Sequence, residues 1–436
     1  MEFKLINHFG KYLLFLPENL LLLEIDEEIS HQIKDNDFLP PNIVSVVKPF
    51  IDNKICSFNS INFKPQLLVL TVSHMCNLKC VYCYAEEGTY HSKGLMNLET
   101  AKKAIEMFYE KGQSNVGISF FGGEPLINFS VIKKVVNFAN SYLGKNIRFA
   151  ITTNGTIITP EIATFFRKNN FSITLSLDGN QKLNDKLRLK KNKKGTYEDI
   201  IKAIEILHSS YKNDIFKKIL LRATLTSKND DFTNLMEFFS TLTIPFTVFL
   251  VSTNDNKLKP RIDELLNSID IYTDKMIKLL KERNFDKFQK KLPNIIWMFL
   301  KILHTRQKRY YPCGAGRKVV VVNPKGDVYV CHRFDGTFTG KVGNVLKDNK
   351  IKIFKIIEET IMEKIKKVDI LKECQSCFAR YICGGQCYYE SGIIDKKNYK
   401  LNKDYCRFVR KLVETSIALY SYIPEKLKKI LIQRRR

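Results

Sequence analysis

The sequence predicts an α/β protein: a parallel sheet flanked by helices, followed by a cysteine-rich region. From residue 67 to residue 252, short apolar runs of strand length alternate with segments of helical spacing. Strands that alternate with helices predict a parallel sheet with right-handed crossovers. Ten of the 11 cysteines form two groups, one directly after the first of these strands and one near the C-terminus. The chemistry of the chain is therefore expected to involve thiolate ligands held by the sheet.

Six strand–helix units are predicted in order. The predicted strands are Leu67–Ser73, Val116–Phe121, Ile147–Thr153, Phe171–Leu177, Ile219–Thr226 and Phe246–Ser252. The helices predicted between them are Asn97–Lys111, Ile127–Leu143, Pro160–Lys168, Tyr197–His208 and Phe232–Leu242. In barrels of such units the chemistry lies at the C-terminal ends of the strands. Each motif described below follows a predicted strand.

The first cysteine group is the trio Cys76, Cys80 and Cys83. A disulfide framework is typical of short secreted chains, and the start of this chain lacks the pattern of a secretory signal. Zinc usually takes four ligands, whereas the trio offers three thiolates and no nearby histidine. Three thiolates can hold three irons of a cubane cluster and leave the fourth iron open to a ligand. The trio therefore predicts an iron–sulfur site.

The second cysteine group has seven members, spread over about a hundred residues. They are Cys313, Cys331, Cys374, Cys377, Cys383, Cys387 and Cys406. Taken alone, the spacings around Cys374–Cys377 and Cys383–Cys387 suit structural zinc as well as iron. Cys56 lies outside both groups, has no assigned role, and is predicted to be a buried free thiol.

Further motifs identify a family resemblance that spans roughly residues 66–410. The trio is followed by Gly122-Gly123-Glu124-Pro125, Thr153-Asn154-Gly155 and Ser176-Leu177-Asp178-Gly179. Together these resemble the radical S-adenosylmethionine (SAM) enzymes, and the seven later cysteines resemble their SPASM extension. The resemblance implies a partial (β/α)6 radical SAM barrel with a C-terminal SPASM iron–sulfur domain. It also implies SAM and three [4Fe–4S] clusters, one SAM-binding and two auxiliary.

The resemblance also implies roles for individual residues. Cys76, Cys80 and Cys83 would ligate the SAM-binding cluster and be catalytic. The implied SAM contacts are Tyr82, Gly122, Gly123, Glu124, Thr153, Asn154, Ser176 and Arg188. Among them, Glu124 would bind the methionine ammonium, and Arg188 would suit the carboxylate because a guanidinium forms forked hydrogen bonds. A core role for Tyr82 and a turn role for Asn154-Gly155 explain these residues nearly as well, and Asp178-Gly179 is expected to be structural.

The auxiliary clusters would divide the later cysteines unequally. One cluster would take Cys374, Cys377, Cys383 and Cys406, and the other Cys313, Cys331 and Cys387. A three-ligand cluster has a vacant iron. In maturases that install thioethers in cysteine-rich ribosomal peptides, a substrate thiolate can bind such an iron; water, His332 or another residue could also do so. Glu390, Asp335 and several tyrosines are candidates for a catalytic base, and the sequence does not select one.

The resulting functional hypothesis is a peptide-modifying oxidoreductase. It would cleave SAM to a 5′-deoxyadenosyl radical and form Cys-to-carbon thioether cross-links in a cysteine-rich precursor. An anaerobic sulfatase-maturing enzyme, another peptide modification such as C–C cross-linking, and a nucleic-acid-modifying enzyme are the alternatives. The net charge of 71 − 45 = +26 keeps the nucleic-acid hypothesis open, whereas the seven-cysteine extension argues against it.

Partners and location follow from the same hypothesis. The expected partners are a precursor peptide with its leader and an electron donor such as flavodoxin or ferredoxin. No membrane partner is expected, because the sequence has no apolar run near the length of a bilayer span. Oxygen-sensitive clusters predict a reducing cytoplasm.

The N-terminal region is predicted to recognise the peptide leader. Strands Phe3–Asn7, Tyr12–Phe15 and Leu20–Ile25 precede a helix through Ile33 and a second helix over Ile43–Phe50. This order is similar to the winged-helix recognition element of ribosomal-peptide maturases, which binds leaders by β-strand addition; a plain packing subdomain is the alternative. The predicted domains are 1–62 for this element, 63–255 for the barrel, 256–310 for a helical linker completing it, 311–412 for SPASM and 413–436 for a basic C-terminal tail.

Overall fold

The computed structural model of the protein describes residues 2–36, 38–51, 63–144, 146–394 and 400–433. Cys56 and the basic run 434–436 lie outside these residues. The described strands are β1 Lys4–His8, β2 Lys11–Leu16, β3 Leu21–Ile25, β4 Leu67–Ser73, β5 Gly117–Gly122, β6 Arg148–Thr153, β7 Ser172–Ser176, β8 Ile219–Leu225, β9 Phe246–Leu250, β10 Val319–Val322, β11 Asp327–Tyr329 and β12 Lys341–Asn344.

Seventeen α-helices flank these strands in the described residues. They are α1 Glu27–Asn36, α2 Pro41–Ile51, α3 Leu98–Phe108, α4 Phe129–Leu143, α5 Pro160–Lys168, α6 Gln181–Leu187, α7 Tyr197–Tyr211, α8 Ile215–Lys218, α9 Phe232–Thr241, α10 Ile262–Lys281, α11 Phe285–Lys291, α12 Asn294–Thr305, α13 Lys350–Ile356, α14 Lys372–Gln375, α15 Arg380–Cys383, α16 Lys403–Tyr422 and α17 Glu425–Gln433.

Strands β4 to β9 form the predicted parallel sheet, and neighbouring strands pair in sequence order. Successive side chains of a strand point to opposite faces. In β8, Leu221 and Ala223 are fully buried on one face, whereas Arg222 and Thr224 are only partly buried on the other. The buried face packs on the helices, so the polar residues face the concave side of the sheet. The α/β prediction is confirmed.

The sheet continues into the C-terminal half of the chain, which the sequence did not predict. β10 pairs in parallel with β4, from Val319 opposite Leu67 to Val322 opposite Leu70. β11 and β12 then add antiparallel strands, giving a nine-stranded sheet with β12 and β9 at its two ends. The segment 256–310 contains the helices α10, α11 and α12. It packs beside the sheet, where the Thr273 and Thr415 hydroxyls of α10 and α16 meet at 2.8 Å.

The N-terminal region is a three-stranded antiparallel sheet of order β1-β2-β3, followed by α1 and α2. Because side chains alternate along β2, its two faces join different cores. Leu14 and Leu16 pack with the α1 residue Ile33 in a separate small core. Leu13 and Phe15 belong to the main core of the protein. The N-terminal sheet is therefore built into the body of the protein through one face.

Polar contacts hold the N-terminal sheet in the same place. Arg380 is only 6% exposed and donates hydrogen bonds to the carboxylates of Glu2 and Glu18. On the other side, the Tyr422 hydroxyl donates to the His8 carbonyl at 2.9 Å. These contacts tie residues near the start of the chain to α15 and α16.

The predicted basic tail from residue 413 is wrong over residues 413–422, which belong to α16. Val413, Ile417 and Leu419 are fully buried on this helix. Val413 and Ile417 are one turn apart on one helical face, Leu419 lies on another, and all three pack into the main core. No helix among the described residues combines the length and apolar character needed to cross a bilayer.

We expect Arg380→Ala to lower the free energy of unfolding by about 2 kcal/mol, because hydrogen bonds to charged groups contribute about 1.5–3 kcal/mol. Residues 2–36 should also become easier to cleave by protease. Lys308→Ala is the matched control, since Lys308 lies 3.8 Å from the same Glu18 and is 25% exposed. Equal effects of the two substitutions, measured by denaturant unfolding and limited proteolysis, would contradict this account of the docking.

Candidate functional site

The loop with Cys76, Cys80 and Cys83 follows β4 at the C-terminal end of the sheet. Its backbone pairs with the segment after α6: Lys79 N–H donates to the Leu189 carbonyl at 2.7 Å, and Val81 N–H to the Leu187 carbonyl at 3.0 Å. The sequence did not predict α6 or this pairing. The loop is therefore held along its length by the next segment of the barrel.

The structure brings Cys76, Cys80 and Cys83 together. The pKa of Cys76 is raised to about 12, chiefly by burial and then by Glu124, Cys80 and Cys83. The described residues contain no group of three donors close enough for a single metal ion. A cubane cluster carries its irons at separate corners, so its thiolates stand farther apart than the ligands of one ion. The three thiols fit such a cluster.

Gly122 and Gly123 let two backbone segments touch. A Cβ on Gly122 would lie 2.2 Å from the Ser73 carbonyl oxygen, and one on Gly123 would lie 2.4 Å from the Met75 carbonyl oxygen. Gly123 N–H instead donates to the Ser73 carbonyl at 2.8 Å. The start of the cysteine loop thus fills the space beside these glycines and leaves no room for a side chain. The sequence analysis had instead assigned both glycines to contacts with SAM.

Glu124 is fully buried and orders the ends of two strands. Its carboxylate accepts hydrogen bonds from Thr153 Oγ1 at 2.7 Å, Asn154 N–H at 2.7 Å and Leu126 N–H at 3.0 Å. Burial raises the pKa of Glu124, and the hydrogen bonds from Asn154 and Thr153 oppose that rise. Any contact with a ligand ammonium would add to these bonds.

Asn154 connects β6 to the cysteine loop. Its side-chain amide donates to Asn77 Oδ1 at 2.9 Å and lies 3.9 Å from Cys76 Sγ. Its own Oδ1 accepts from the Thr156 hydroxyl at 2.7 Å. Asn154 thus combines the turn role and the site role that the sequence left open.

Tyr82, Arg188 and Asp178 form a buried network next to the three thiols. Arg188 Nη1 donates to the Tyr82 hydroxyl at 2.6 Å, and that hydroxyl donates to Asp178. Asp178 also accepts from Thr224 N–H at 2.8 Å. Burial raises the pKa of Asp178, while Arg188 opposes the rise. Asp178 was predicted to be structural. The structure shows that it also accepts a hydrogen bond from Tyr82 and so orients that side chain.

One donor of this network has no hydrogen-bond partner, and a serine lies at the end of a nearby strand. Arg188 Nε is buried and makes no hydrogen bond with the described residues. Ser176, at the end of β7, pairs in register with Arg222 of β8. A carboxylate and the hydroxyls of a ribose are groups that such donors bind. The residues present therefore fit SAM.

His74 links the cysteine loop to the C-terminal half. Its Nε2 lies 3.0 Å from Asp335 Oδ2, and its Nδ1 lies 2.8 Å from the Ser92 carbonyl oxygen. Asp335 also accepts from Asn323 Nδ2 at 3.0 Å. The ring of His74 stacks on Tyr90 with centroids 4.8 Å apart. Asp335, one of the candidate bases, is committed to this buried pair.

The structure sorts the later cysteines into two sets. The pKa of Cys331 is raised to about 12, chiefly by burial and further by Cys387 and Cys313. The pKa of Cys383 is also raised to about 12, chiefly by burial and further by Cys377 and Cys406. Cys374 lies with this second set, since Cys377 and Cys406 raise its pKa as well. Four thiols in one set suffice for a [4Fe–4S] cluster, whereas the three in the other set leave one iron of such a cluster without a thiolate.

A glycine turn separates Cys383 and Cys387 so that each joins a different set. Gly384 and Gly385 both have left-handed backbone angles, with φ of +74° and +102°. A Cβ on Gly384 would lie 2.5 Å from the Tyr311 carbonyl oxygen. Because L-residues rarely adopt such angles, glycine is required for this turn.

Arg333 lies between the first cysteine loop and the three-thiol set. Its guanidinium stacks over Tyr84, which follows Cys83, at 4.2 Å and over Tyr389 at 4.8 Å. It donates to Glu390 and to Ser252 at the end of β9. Its Nε is buried without a hydrogen-bond partner among the described residues.

His332 lies in the same region, between Phe121 and Cys331. The ring of His332 packs on Phe121 at 4.4 Å, with Nδ1 3.9 Å from Cys331 Sγ. Burial, Arg222 and Arg333 lower the pKa of His332 to about 3, so its ring is neutral. The two charged groups that lower this pKa are both arginines.

The chain matches two family models. Residues 70–239 match the model described as the radical SAM superfamily, and residues 313–378 match SPASM, described as an iron–sulfur cluster-binding domain. The two matches cover the first cysteine loop and most of the second cysteine group.

Three relatives illustrate the range of similar proteins. An uncharacterized protein of Methanocaldococcus jannaschii is 32% identical over 66% of this chain and 92% of its own length. A cysteine-type anaerobic sulfatase-maturating enzyme of Clostridium novyi is 35% identical over 33% of this chain and 40% of its own. The radical SAM cyclopropyl synthase TigE of Paramaledivibacter caminithermalis is 25% identical over 95% and 91% of the two chains.

Solved structures share the fold. Native anSMEcpe with bound AdoMet has a TM-score of 0.63 at 19% identity and covers 84% of this chain and 98% of its own. Streptococcus suis SuiB bound to precursor peptide SuiA has a TM-score of 0.51 at 17% identity, covering 92% and 98%.

We expect Gly123→Ala to lower the iron content and weaken the first cluster, because the added methyl would strike the backbone of the cysteine loop. Gly94→Ala is the control, since its Cβ would meet only Pro324 at 4.0 Å. Iron analysis and the absorbance of the anaerobically reconstituted variants measure the effect. Full iron loading of Gly123→Ala would refute the role given to this glycine.

Proposed function

Since this chain belongs to the radical SAM superfamily and carries a SPASM iron–sulfur domain, we propose that it forms Cys-to-carbon thioether cross-links in a ribosomally made, cysteine-rich precursor peptide. Its cofactors are SAM and [4Fe–4S] clusters. When bound, they supply one-electron cleavage of the sulfonium to methionine and a 5′-deoxyadenosyl radical that abstracts hydrogen. The protein residues bind, orient and shield the reactants.

The observation that carries the proposal is the three-thiol set Cys313, Cys331 and Cys387 beside the first cysteine loop. Arg333 spans the two regions, since its backbone N–H lies 3.5 Å from Cys331 Sγ and its side chain stacks on Tyr84. A set that is one thiolate short leaves a ligand position for a substrate sulfur. A peptide cysteine bound there would lie on the same side of the sheet as SAM.

We assign Glu390 as the base that takes the proton of the substrate thiol. It is the carboxylate that contacts Arg333 in this region, and it is 27% exposed, so a substrate can reach it. Asp335 is fully buried and held by His74 and Asn323. Burial raises the pKa of Tyr84 and Tyr90, so both hydroxyls stay protonated and cannot accept the proton.

We assign the N-terminal sheet to binding of the leader peptide. The outer edge of β3 pairs with no other strand among the described residues. Nearby, α2 exposes Val46 by 55% and Phe50 by 47%. An extended peptide can add to such a strand edge through backbone hydrogen bonds while apolar side chains supply specificity.

Another carbon-based modification of a peptide is the second candidate. It is favoured by the similarity to the cyclopropyl synthase TigE, which extends over 95% of this chain. Formylglycine formation is a further candidate, since a cysteine-type anaerobic sulfatase-maturating enzyme of Clostridium perfringens is 23% identical over 80% of this chain. The three-thiol set, which is one thiolate short of a complete cluster, argues against it.

The deciding experiment uses the anaerobically reconstituted enzyme with SAM, reductant and a cysteine-rich peptide encoded beside its gene. We expect each cross-link to remove two hydrogens from the peptide mass and to make one cysteine resistant to alkylation under reducing conditions. The variant with Cys76, Cys80 and Cys83 all changed to Ala should give no 5′-deoxyadenosine yet keep auxiliary iron. Loss of two hydrogens with every cysteine still alkylated would favour a carbon–carbon product instead.

We expect Cys387→Ala to stop cross-linking far more severely than it slows SAM cleavage, because it removes a thiolate from the three-thiol set and spares the first loop. The two rates are measured on the same samples, as modified peptide and as 5′-deoxyadenosine. Cys377→Ala is the comparison, since Cys377 belongs to the four-thiol set. Equal losses of both rates in Cys387→Ala would indicate a purely structural cluster.

A further inference from the structure

Buried hydrogen-bond donors without partners gather around the three-thiol set. Seven buried side-chain polar atoms of the described residues make no hydrogen bond, and three of them are Arg317 Nε, Arg333 Nε and the Tyr388 hydroxyl. Each of these residues follows a cysteine of the three-thiol set within four positions of the chain. Burying a polar group without a partner costs free energy, so native proteins almost always give such groups a partner. The three donors are therefore expected to face a common acceptor.

Tyr388 is the most buried of the three, with 3% of its surface exposed. It follows Cys387 directly, and the glycine turn before it lies against the segment of Cys313, since a Cβ on Gly385 would lie 3.6 Å from Pro312 Cδ. Burial raises the pKa of Tyr388, and Cys313 raises it further. The hydroxyl therefore keeps its proton for donation and lies within electrostatic range of a second cysteine of the set.

A tight turn holds Arg317 close to Cys313. The Gly314 carbonyl accepts hydrogen bonds from the backbone N–H groups of Arg317 at 3.0 Å and Lys318 at 2.7 Å. The Arg317 guanidinium stacks on the ring of Tyr311, with 3.5 Å between its Cζ and the ring centroid. Since the turn and the ring already order this side chain, Nε loses little freedom when it binds an acceptor.

Arg333 supplies the third donor from the side of the first cysteine loop. Its backbone N–H lies 3.5 Å from Cys331 Sγ. Its Nη2 donates to Glu390 and Ser252, so the buried Nε remains as a donor without a partner among the described residues. Donors from three separate segments thus surround the same set of thiols.

We propose that Tyr388, Arg317 and Arg333 donate hydrogen bonds to the sulfur atoms of the iron–sulfur cluster held by the three-thiol set, and thereby raise its reduction potential. The inference rests on that cluster, which belongs to the proposed function, and not on the identity of the peptide. Reduction adds a negative charge to a cluster, and hydrogen bonds to its sulfurs are among the factors that set its potential. The low dielectric of a buried site strengthens such bonds.

The proposed cross-linking reaction gives a higher potential a use. Forming one C–S bond from one S–H and one C–H bond releases one hydrogen atom to the 5′-deoxyadenosyl radical, one proton to Glu390 and one electron. Donors that favour reduction of the neighbouring cluster favour removal of that electron from the peptide. The three residues would therefore act through the cluster, as positioning residues that do not touch the substrate.

The test measures the midpoint potentials of the anaerobically reconstituted holoenzyme, without peptide, by a redox titration followed by EPR. Added SAM changes the spectrum of the first cluster and so identifies it. Tyr388→Phe removes the hydroxyl and keeps the ring. One of the two remaining midpoints should fall, with a reduction equilibrium about tenfold less favourable, or about 59 mV for one electron. The other midpoint should stay in place.

Tyr381→Phe is the matched control. Tyr381 is also a buried tyrosine, two residues before Cys383, but its hydroxyl already has a partner in Glu18 at 3.4 Å. All midpoints should stay in place in this variant. Equal shifts in the two variants, or no shift in a fully iron-loaded Tyr388→Phe enzyme, would overturn the proposal. Loss of iron from Tyr388→Phe alone would also overturn it, because the hydroxyl would then be needed to hold the cluster.

Pulsed EPR of the reduced enzyme in D2O tests the hydrogen bond itself. The cluster of the three-thiol set should couple to exchangeable deuterons, and Tyr388→Phe should lose one of these couplings. Identical couplings in the two proteins would overturn the proposal. Because no peptide is present in either measurement, a negative result here leaves the cross-linking hypothesis standing, and a failed cross-linking assay leaves the measured potentials unchanged.

Discussion

The arrangement of the whole molecule depends on a buried contact between two distant parts of the chain. His74 and Asp335 are 261 residues apart and pair at 3.0 Å with both side chains almost fully buried. His74 stands two residues before Cys76, and Asp335 stands four residues after Cys331. Breaking such a pair leaves an uncompensated buried group, which is strongly destabilising. The pair and the parallel joining of β4 to β10 fix the first cysteine loop relative to the three-thiol set.

Around this contact, small backbone details decide where each functional group lies. Gly122 and Gly123 let the end of β5 touch the cysteine loop, and Glu124 then binds the end of β6. Asn154 returns from β6 to the same loop. These contacts are made by groups at the ends of neighbouring parallel strands, which is where such folds place their chemistry. The residues predicted to bind SAM therefore also hold one another in place.

Local patterns in the sequence were sufficient to predict the strands β4 to β9 and the two cysteine groups. The period of two in β8 and the spacing of the first trio depend only on neighbouring residues, so they can be recognised without the fold. The position of β10 could not be predicted, because four valines give no information about a partner strand in the distant first half of the chain. The role of Asp335 could not be predicted either, because it depends on a contact with the distant residue His74. The helix over 413–422 could have been predicted from the sequence, because Val413 and Ile417 lie one turn apart on its buried face. The many lysine and arginine residues near the C-terminus led instead to the prediction of a basic tail.

The long separation between His74 and Asp335 also bears on how the protein is made. The loop with Cys76, Cys80 and Cys83 leaves the ribosome long before the carboxylate that later packs behind it. Contacts between distant parts of a chain form late, because the intervening segment must first be ordered. Iron delivered early would meet thiols whose supporting residues have not been synthesised. The final packing of this loop is therefore tied to completion of the C-terminal half, because the buried His74 has no carboxylate partner until Asp335 is in place.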